Sequence, residues 1–265
     1  MKRIILTLAF AMFAAVTSAA QDKPKTDVPA KPETAPAAKT DAKAEALPNV
    51  DDILGKYVTA VGGKEAIEKI TSRSMRFSFS IDAFGVADAP MEIFYKAPNK
   101  RSMKIDVPGF GVVLSVFNGA TAWSSDPMSG LRELSGAELA QLKRESDFHQ
   151  ELNLKKYYTK LEVKGKEKVG SYETYLVEAT PAEGSPTKYY FDVATGLLVR
   201  QDGEEESPQG KAMVENYMDD YKAVDGVKIA HSLKRVNPMM TVVIKLTEVK
   251  NNVEIDEAKF AKPAN

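Results

Sequence analysis

The chain has 265 residues, with 36 basic and 37 acidic side chains and no cysteine. Its net charge of −1 provides no basic field that would attract nucleic acid or anionic lipid headgroups. Without cysteine the chain can neither form a disulfide nor carry a lipid on an N-terminal cysteine, so the protein is not itself a lipoprotein.

The first 20 residues have the three-part pattern of a secretory signal peptide. A basic start is followed by an apolar run over residues 4–16 and then by small residues up to Ala20. The run is shorter than the roughly 20 residues of a membrane-spanning helix. We therefore predict cleavage after Ala20 and export of a soluble chain to the periplasm. A retained amphipathic anchor is the alternative.

Residues 21–48 are predicted to be a disordered linker. The segment is rich in proline, alanine and charged residues and contains no aromatic residue. Such a composition buries too little apolar surface to offset the entropy lost on ordering. Alternating proline and charge favours an extended tether. The remaining residues, 49–265, are enough for one domain with a sizeable core.

A helix is predicted at the start of this domain, because the side chain of Asn49 or Asp51 can cap it. Its apolar face carries Leu54, Tyr57 and Val58 at helical spacing. A glycine pair at 62–63 ends this helix. A second short helix is predicted to extend to residue 70.

Short strands dominate from residue 73 to residue 250. In the first of them, Phe77, Phe79 and Ile81 alternate with polar residues. The Asn118-Gly119 pair predicts a hairpin with a type I′ turn. The predicted strands are 73–81, 91–96, 103–107, 112–117, 121–125, 160–169, 172–180, 188–193, 197–201, 213–222, 227–236 and 241–250. Because the connections are too short for parallel crossovers, we predict an antiparallel sheet of about eleven or twelve strands.

One helical segment, 135–152, interrupts the strands. Ser135 and Glu138 have the spacing of a capping box. Leu139 and Leu142 follow at helical spacing and form an apolar face. A long antiparallel sheet needs a cover for its apolar side, so this segment is predicted to pack on the sheet.

An outer-membrane barrel is the alternative for so many strands. Such barrels have an apolar outer band and a polar lumen. Here charged residues occupy alternate strand positions that are predicted to face solvent, as at Glu162, Lys164 and Lys166. The pattern therefore favours a soluble β domain.

The sequence contains no recognisable catalytic constellation. The two histidines, His149 and His231, have no neighbour at metal-ligand spacing. There is no G-x-S-x-G elbow and no glycine-rich phosphate loop before a helix. We predict that the protein is not an enzyme, with no catalytic, cofactor-binding or metal-binding residue and no cofactor.

Three segments resemble the periplasmic lipoprotein-carrier family (LolA/LolB-like, outer-membrane lipoprotein-sorting proteins). They are FYKAPNK at 94–100, NGATAW at 118–123 and IDEAKF at 255–260. Their order and spacing are similar to those of the family, over about residues 50–262. The resemblance implies a mainly β (α+β) fold: a half-open antiparallel β-barrel of about 11 strands, covered by helices.

The resemblance also implies a function: holding acyl chains of a lipoprotein or lipid in an apolar cavity, for transfer toward the outer membrane. The candidate cavity residues are Phe77, Phe79, Ile81, Phe94, Met103, Val113, Phe117 and Trp123. Helices over 51–70 and 135–152 would be the lid, through Leu54, Tyr57, Val58, Leu139 and Leu142.

One position departs from the family pattern. The carrier has an arginine just before the turn proline that latches the lid, and here that residue is Ala97. Lys96 and Arg101 are the nearby cations that could replace it. The alternative function is a non-enzymatic envelope interaction module with the same fold but a filled core, whose partner is an envelope protein. A hydrolase would need a site that the sequence does not contain.

Overall fold

The computed structural model describes residues 46–207 and 210–264. The predicted signal peptide and residues 21–45 of the predicted linker lie outside the described residues. The α-helices are α1 Val50–Ala60, α2 Lys64–Glu68, α3 Gly136–Glu145 and α4 Gln150–Asn153, and the described residues also form 3₁₀ helices at Asp82–Phe84, Leu154–Tyr157 and Glu257–Phe260. The strands are β1 Ser72–Ile81, β2 Val86–Lys96, β3 Lys100–Val107, β4 Gly111–Phe117, β5 Ala122–Asp126, β6 Gly130–Glu133, β7 Tyr158–Val169, β8 Tyr172–Pro181, β9 Thr187–Asp192, β10 Leu198–Ser207, β11 Gly210–Val224, β12 Val227–Val236 and β13 Thr241–Asn251.

All 13 strands form one antiparallel sheet in the order β6-β5-β4-β3-β2-β1-β13-β12-β11-β10-β9-β8-β7. Strands adjacent in sequence pair, apart from β6 and β7, and the pairing of β1 with β13 joins the two halves. β6 and β7 are the edges, so the sheet is not closed. The mainly β, antiparallel prediction is confirmed. The predicted half-open barrel of about eleven strands is not confirmed: the sheet has 13 strands, and the strand missed is β6, which has only four residues.

Helix α1 begins as the sequence indicates. The Asn49 Oδ1 atom accepts a hydrogen bond from the Asp52 backbone N–H at 2.9 Å, so Asn49 is the cap. After α1 the chain turns at Gly62, whose φ is 130°. A side chain there would collide with the Gly226 carbonyl, because this turn lies against the β11–β12 turn. The Lys228 N–H donates to the Val61 carbonyl at 2.8 Å and fixes that contact.

Helix α3 does not begin with the predicted capping box. The Ser135 side chain makes no cap hydrogen bond. The Glu138 carboxylate instead accepts two hydrogen bonds from the Arg132 guanidinium, at 2.7 and 2.6 Å. A bidentate, charge-assisted pair is stronger than a bond to a backbone N–H, and it ties α3 to β6.

The hairpin at 118–119 forms, but without the predicted type I′ turn, which needs a positive φ at both residues. Only Gly119 has one, at 100°. The Asn118 side chain instead accepts hydrogen bonds from the N–H groups of Ala120 and Thr121, at 2.9 and 2.8 Å. This side-chain turn replaces the backbone turn.

The side of the sheet on which the α-helices lie is called here the inner face. On strands β7–β10, helix α1 covers this face, and these elements are called the helix-packed half. Its buried residues are Ile53, Leu154, Val177, Ala179, Tyr189 and Phe191. The Tyr57 ring lies 5.3 Å from the Phe191 ring, and the Tyr158 and Tyr189 hydroxyls share a hydrogen bond of 2.6 Å. Burial of this apolar surface holds α1 on the sheet.

Candidate functional site

The largest apolar cluster lies on the inner face of β1, β2, β3 and β13 and is called the inner cluster. Its buried residues are Met75, Phe77, Phe79, Ile81, Val86, Ala89, Met91, Ile93, Ile105, Val107, Met240, Val242 and Leu246. None of the four α-helices contributes a residue to it. It differs in this way from the helix-packed half.

Loop side chains close the inner cluster at one end. Phe84 lies between β1 and β2, Phe110 lies between β3 and β4, and Met240 precedes β13. All three connections are at the same end of the antiparallel strands. This end is therefore closed by aromatic and thioether groups, of which Phe84 belongs to a short 3₁₀ helix, and not by an α-helix.

The register places the cluster in rows across the strands. Phe77 is opposite Met91 on β2 and Leu246 on β13. In the next row toward the helices, Ile93 is opposite both Met75 and Met103. Methionine side chains are unbranched and adapt to irregular partners. The part of the cluster nearest the helices is therefore its most deformable part.

The next row, at the end of β1–β3 that lies nearest the helices, is polar and is called the polar row. Arg73 is opposite Tyr95, and Tyr95 is opposite Arg101. The segment after α3 lies over this row: the Phe148 ring is 6.5 Å from the Tyr95 ring and 5.7 Å from the Arg73 guanidinium. The Phe148 N–H donates to the Pro98 carbonyl at 3.0 Å and holds the segment there.

Six of the eight candidate cavity residues lie on the inner face. Phe77, Phe79 and Ile81 belong to the inner cluster, and Met103 and Val113 pack against it. Phe117 packs instead with Leu142 of α3.

The other two candidates, Phe94 and Trp123, lie on the outer face. Successive side chains of a strand point to opposite faces. Phe94 adjoins the inner-face residue Ile93, and Lys259 lies 4.9 Å from its ring. Trp123 is opposite Val116, one position before the inner-face residue Phe117.

The candidate lid residues pack beside the inner cluster rather than on it. Leu54 and Tyr57 of α1 pack on the helix-packed half, and Val58 packs with the α2 region. Leu139 and Leu142 of α3 pack on β4 and β5, around Phe117 and Ala122. Helix α3 also contacts β10. The helices thus join the two sides of the sheet at the end where the polar row lies.

The two cations considered as latches point to opposite faces. Lys96 lies on the outer face, where the Glu257 carboxylate binds both Lys96 and Lys100 at 2.6 Å. These ammonium groups, Lys100 first, hold the pKa of the Glu257 carboxyl at about 2. Lys96 therefore anchors the segment after β13. Arg101 is on the inner face, and its Nε donates to the Tyr95 hydroxyl at 3.2 Å rather than to a lid helix.

A surface pocket of about 590 Å³ lies away from the inner cluster. Its lining residues are Thr71, Ser72, Lys96, Ala97, Pro98, Asn252, Val253, Glu254 and Ile255. It is formed by the β2–β3 turn and the segment after β13. No candidate cavity residue lines it.

The two histidines each contact a backbone carbonyl group. The His149 Nε2 and His231 Nδ1 atoms each lie 2.9 Å from a backbone carbonyl oxygen, of Ile70 and Ile229. Within 46–207 and 210–264, no group of three His, Asp or Glu residues could hold a metal ion. Burial raises the pKa of the Tyr57 hydroxyl and of the Glu151 carboxyl.

None of the helices in the described part of the chain has the length and apolar character needed to cross a bilayer. No family model matches the sequence, and no curated protein matches it by sequence.

Solved structures share the architecture. A DUF1329 family protein from Desulfovibrio piger has a TM-score of 0.53 and 15% identity, over 80% of this chain and 97% of that one. A LolA superfamily protein from Nitrosomonas europaea has a TM-score of 0.51 and 11% identity, over 77% and 96%. A putative outer membrane lipoprotein-sorting protein domain from Vibrio parahaemolyticus has a TM-score of 0.50 and 12% identity, over 79% and 97%. At these identities the likeness concerns the fold, and this chain has the fold of the LolA-like, lipoprotein-sorting proteins.

Proposed function

We propose that the protein is a periplasmic binding or carrier protein. It holds acyl chains of a lipoprotein or lipid in the inner cluster, for transfer toward the outer membrane, and it acts by burial rather than by chemistry. The observation that carries the proposal is the inner cluster itself: a large set of apolar side chains to which no α-helix contributes, with methionines at the end nearest the helices. The shared fold supports the same proposal.

The energetics favour acyl chains as the ligand. Each methylene group moved from water into an apolar interior contributes about 0.8 kcal/mol. A chain that displaces the Met75 and Met103 side chains would keep apolar contact along β1 and β3. No polar partner is needed for such affinity.

The proposal is tested by uptake of an uncharged acyl probe. Protein purified from the cell envelope without detergent would be analysed by native mass spectrometry and then titrated with a pyrene-labelled monoacylglycerol. We expect a bound acyl compound or saturable uptake of one probe molecule per chain. Consistently empty protein that takes up no probe would contradict the proposal.

A pair of variants locates the uptake. Met103→Trp adds bulk on the inner face, beside the inner cluster. Phe94→Trp adds bulk on the outer face of the neighbouring strand. Both positions are half-buried, so the two changes disturb packing to a similar degree. Probe uptake should fall for Met103→Trp and stay unchanged for Phe94→Trp.

One observation favours the interaction module as a second candidate. The 590 Å³ pocket is on the other side of the β2–β3 turn from the inner cluster and is bordered by Lys96 and Glu254. A protein partner seated there would need no open interior. Substitution of Asn252 by Tyr would fill this pocket. It should abolish capture of an envelope partner by the module and leave acyl uptake by a carrier intact.

A further inference from the structure

The polar row carries two cations on the same face as the inner cluster. Arg73 on β1 and Arg101 on β3 flank Tyr95 on β2. The adjacent row on these three strands consists of Met75, Ile93 and Met103. The guanidinium groups therefore lie at the helix end of an otherwise apolar surface.

Neither guanidinium has a carboxylate partner. Arg101 is only 8% exposed, and its side chain contacts the Tyr95 hydroxyl and, at 3.6 Å, the Met103 sulfur. The Arg73 Nε donates to the Asn251 amide oxygen at 2.8 Å. In the described part of the chain, no carboxylate oxygen lies within 4.0 Å of either group.

The other arginines on the strands differ from these two because each of them binds a carboxylate. They are Arg76, Arg132, Arg200 and Arg235. Arg200 is also largely shielded, and both Asp202 and Glu215 neutralise it. Burying a cation without a partner costs several kcal/mol. Arg101 is buried and Arg73 is half-buried, so two cations without a carboxylate partner on one inner face point to a counter-ion that the chain itself does not supply.

The carboxylates that act most on these two cations lie on the helices, beyond salt-bridge distance. Burial lowers the Arg101 pKa, but Tyr95 and Glu145 more than offset this effect. Burial lowers the Arg73 pKa, against the attraction of Glu151. The same burial raises the pKa of Glu151, which makes that carboxyl a poorer anion. Both guanidinium groups stay protonated, because arginine does not lose its proton in proteins.

We propose that Arg73 and Arg101 bind the anionic headgroup of an acidic lipid, a carboxylate or a phosphate, whose acyl chain lies in the inner cluster. This inference rests on the proposed function. Guanidinium groups bind both oxyanions through paired N–H donors. From Arg73 to Phe79 along β1 the strand rises by about 20 Å, which leaves room for a long chain beyond the headgroup. The acylated cysteine of a lipoprotein has no such anion, so the ligand class is an acidic lipid.

Matched ligands that differ only in charge test the inference. Palmitic acid would be compared with palmityl alcohol, and palmitoyl lysophosphatidic acid with monopalmitoylglycerol. In the wild-type protein we expect the acid of one pair to bind about 10- to 100-fold more tightly than its uncharged analogue. The pair that shows the larger ratio identifies the carboxylate or the phosphate as the headgroup.

Variants test whether the two arginines cause the preference for the charged ligand, measured as the ratio of the affinities for the charged and the uncharged ligand. Arg73→Gln with Arg101→Gln should bring the ratio close to one, while Arg101→Lys should keep part of it. Arg76→Gln is the control, because Arg76 is on the outer face of the same strand. The ratio is measured within one protein, so a smaller folded fraction does not change it. If a variant does not fold, the wild-type ratio alone decides.

Each outcome separates the two proposals. Equal binding of charged and uncharged ligands by the wild type overturns the headgroup site but leaves acyl binding in place. A charge preference that survives Arg73→Gln with Arg101→Gln also overturns it. Failure of the wild type to bind any of the four ligands overturns the proposed function, and the headgroup site with it.

Discussion

On strands β7–β10 the inner face is covered by helix α1. On β1, β2, β3 and β13 the same face is closed at one end by side chains from the connections. In the helix-packed half, α1 places Ile53 and Tyr57 against β8 and β9, where Tyr57 packs on Phe191. In the inner cluster, the strands meet Phe84, Phe110 and Met240 from the connections at one end. Of these two apolar surfaces, only that of the helix-packed half is covered by α1. We therefore treat the first surface as structural and propose the second as the one that an acyl ligand would enter.

The largest effect is expected in the helix-packed half. Phe191 is 1% exposed and contacts the rings of both Tyr57 and Tyr189. Phe191→Ala should lower the free energy of unfolding by about 3–5 kcal/mol, because it leaves a cavity under α1. Urea denaturation measures the change. Acyl-probe uptake per folded molecule should stay the same. A loss of uptake by the fully folded variant would contradict a purely structural role for the helix-packed half.

A smaller and ligand-dependent effect is expected in the inner cluster. Met91→Ala removes a side chain that is 5% exposed and should cost about 2 kcal/mol in the absence of ligand. The space it leaves is part of the proposed binding surface, so a saturating acyl ligand should recover much of the loss. Thermal unfolding with and without monoacylglycerol measures this recovery. If the ligand stabilises Phe191→Ala as much as Met91→Ala, relative to each unliganded variant, the inner cluster has no special role.

The smallest effect is expected on the outer face, where Glu257 joins the segment after β13 to β2 and β3. The pKa of its carboxyl is about 2 in the folded protein, against an ordinary value of 4.5. A lowered folded-state pKa stabilises the fold above pH 4.5, and this stabilisation is lost as the pH falls toward 2. Wild-type stability should therefore fall more steeply over this range than that of Glu257→Gln. Glu254→Gln, in the same segment, is the control and should follow the wild type; identical pH profiles for all three would contradict the ion-pair assignment.

Most of the fold could be predicted from the sequence because local patterns determine it. Alternation in 73–81 marked β1, and Asn49 marked the start of α1. β6 was missed because four residues are too few for a pattern. The capping box failed because Arg132, on β6, outcompetes the local backbone for Glu138, and a partner from another element is invisible to a local rule.

The candidate site was predicted less well because it depends on which face each strand residue occupies. Phe94 and Trp123 were assigned by residue type, and the alternation of their strands places them on the outer face. Arg73, which we propose as a headgroup ligand, was not among the candidate residues, and Arg101 was considered only as a latch. Arg73 is in phase with Met75 and Phe77, which was a usable signal. The net charge of −1 gave no indication of this pair of arginines, because two local cations hardly change the total charge of the chain.

Photoaffinity labelling would locate a bound acyl chain within the sheet. A palmitoyl glycerol with a diazirine near the end of its chain would be bound, irradiated and mapped by mass spectrometry of the peptides. If acyl chains bind in the inner cluster, we expect labels on β1, β2 and β3, around Phe77, Met91 and Ile105. Labels confined to the helix-packed half or to the outer face, or no saturable labelling, would contradict it.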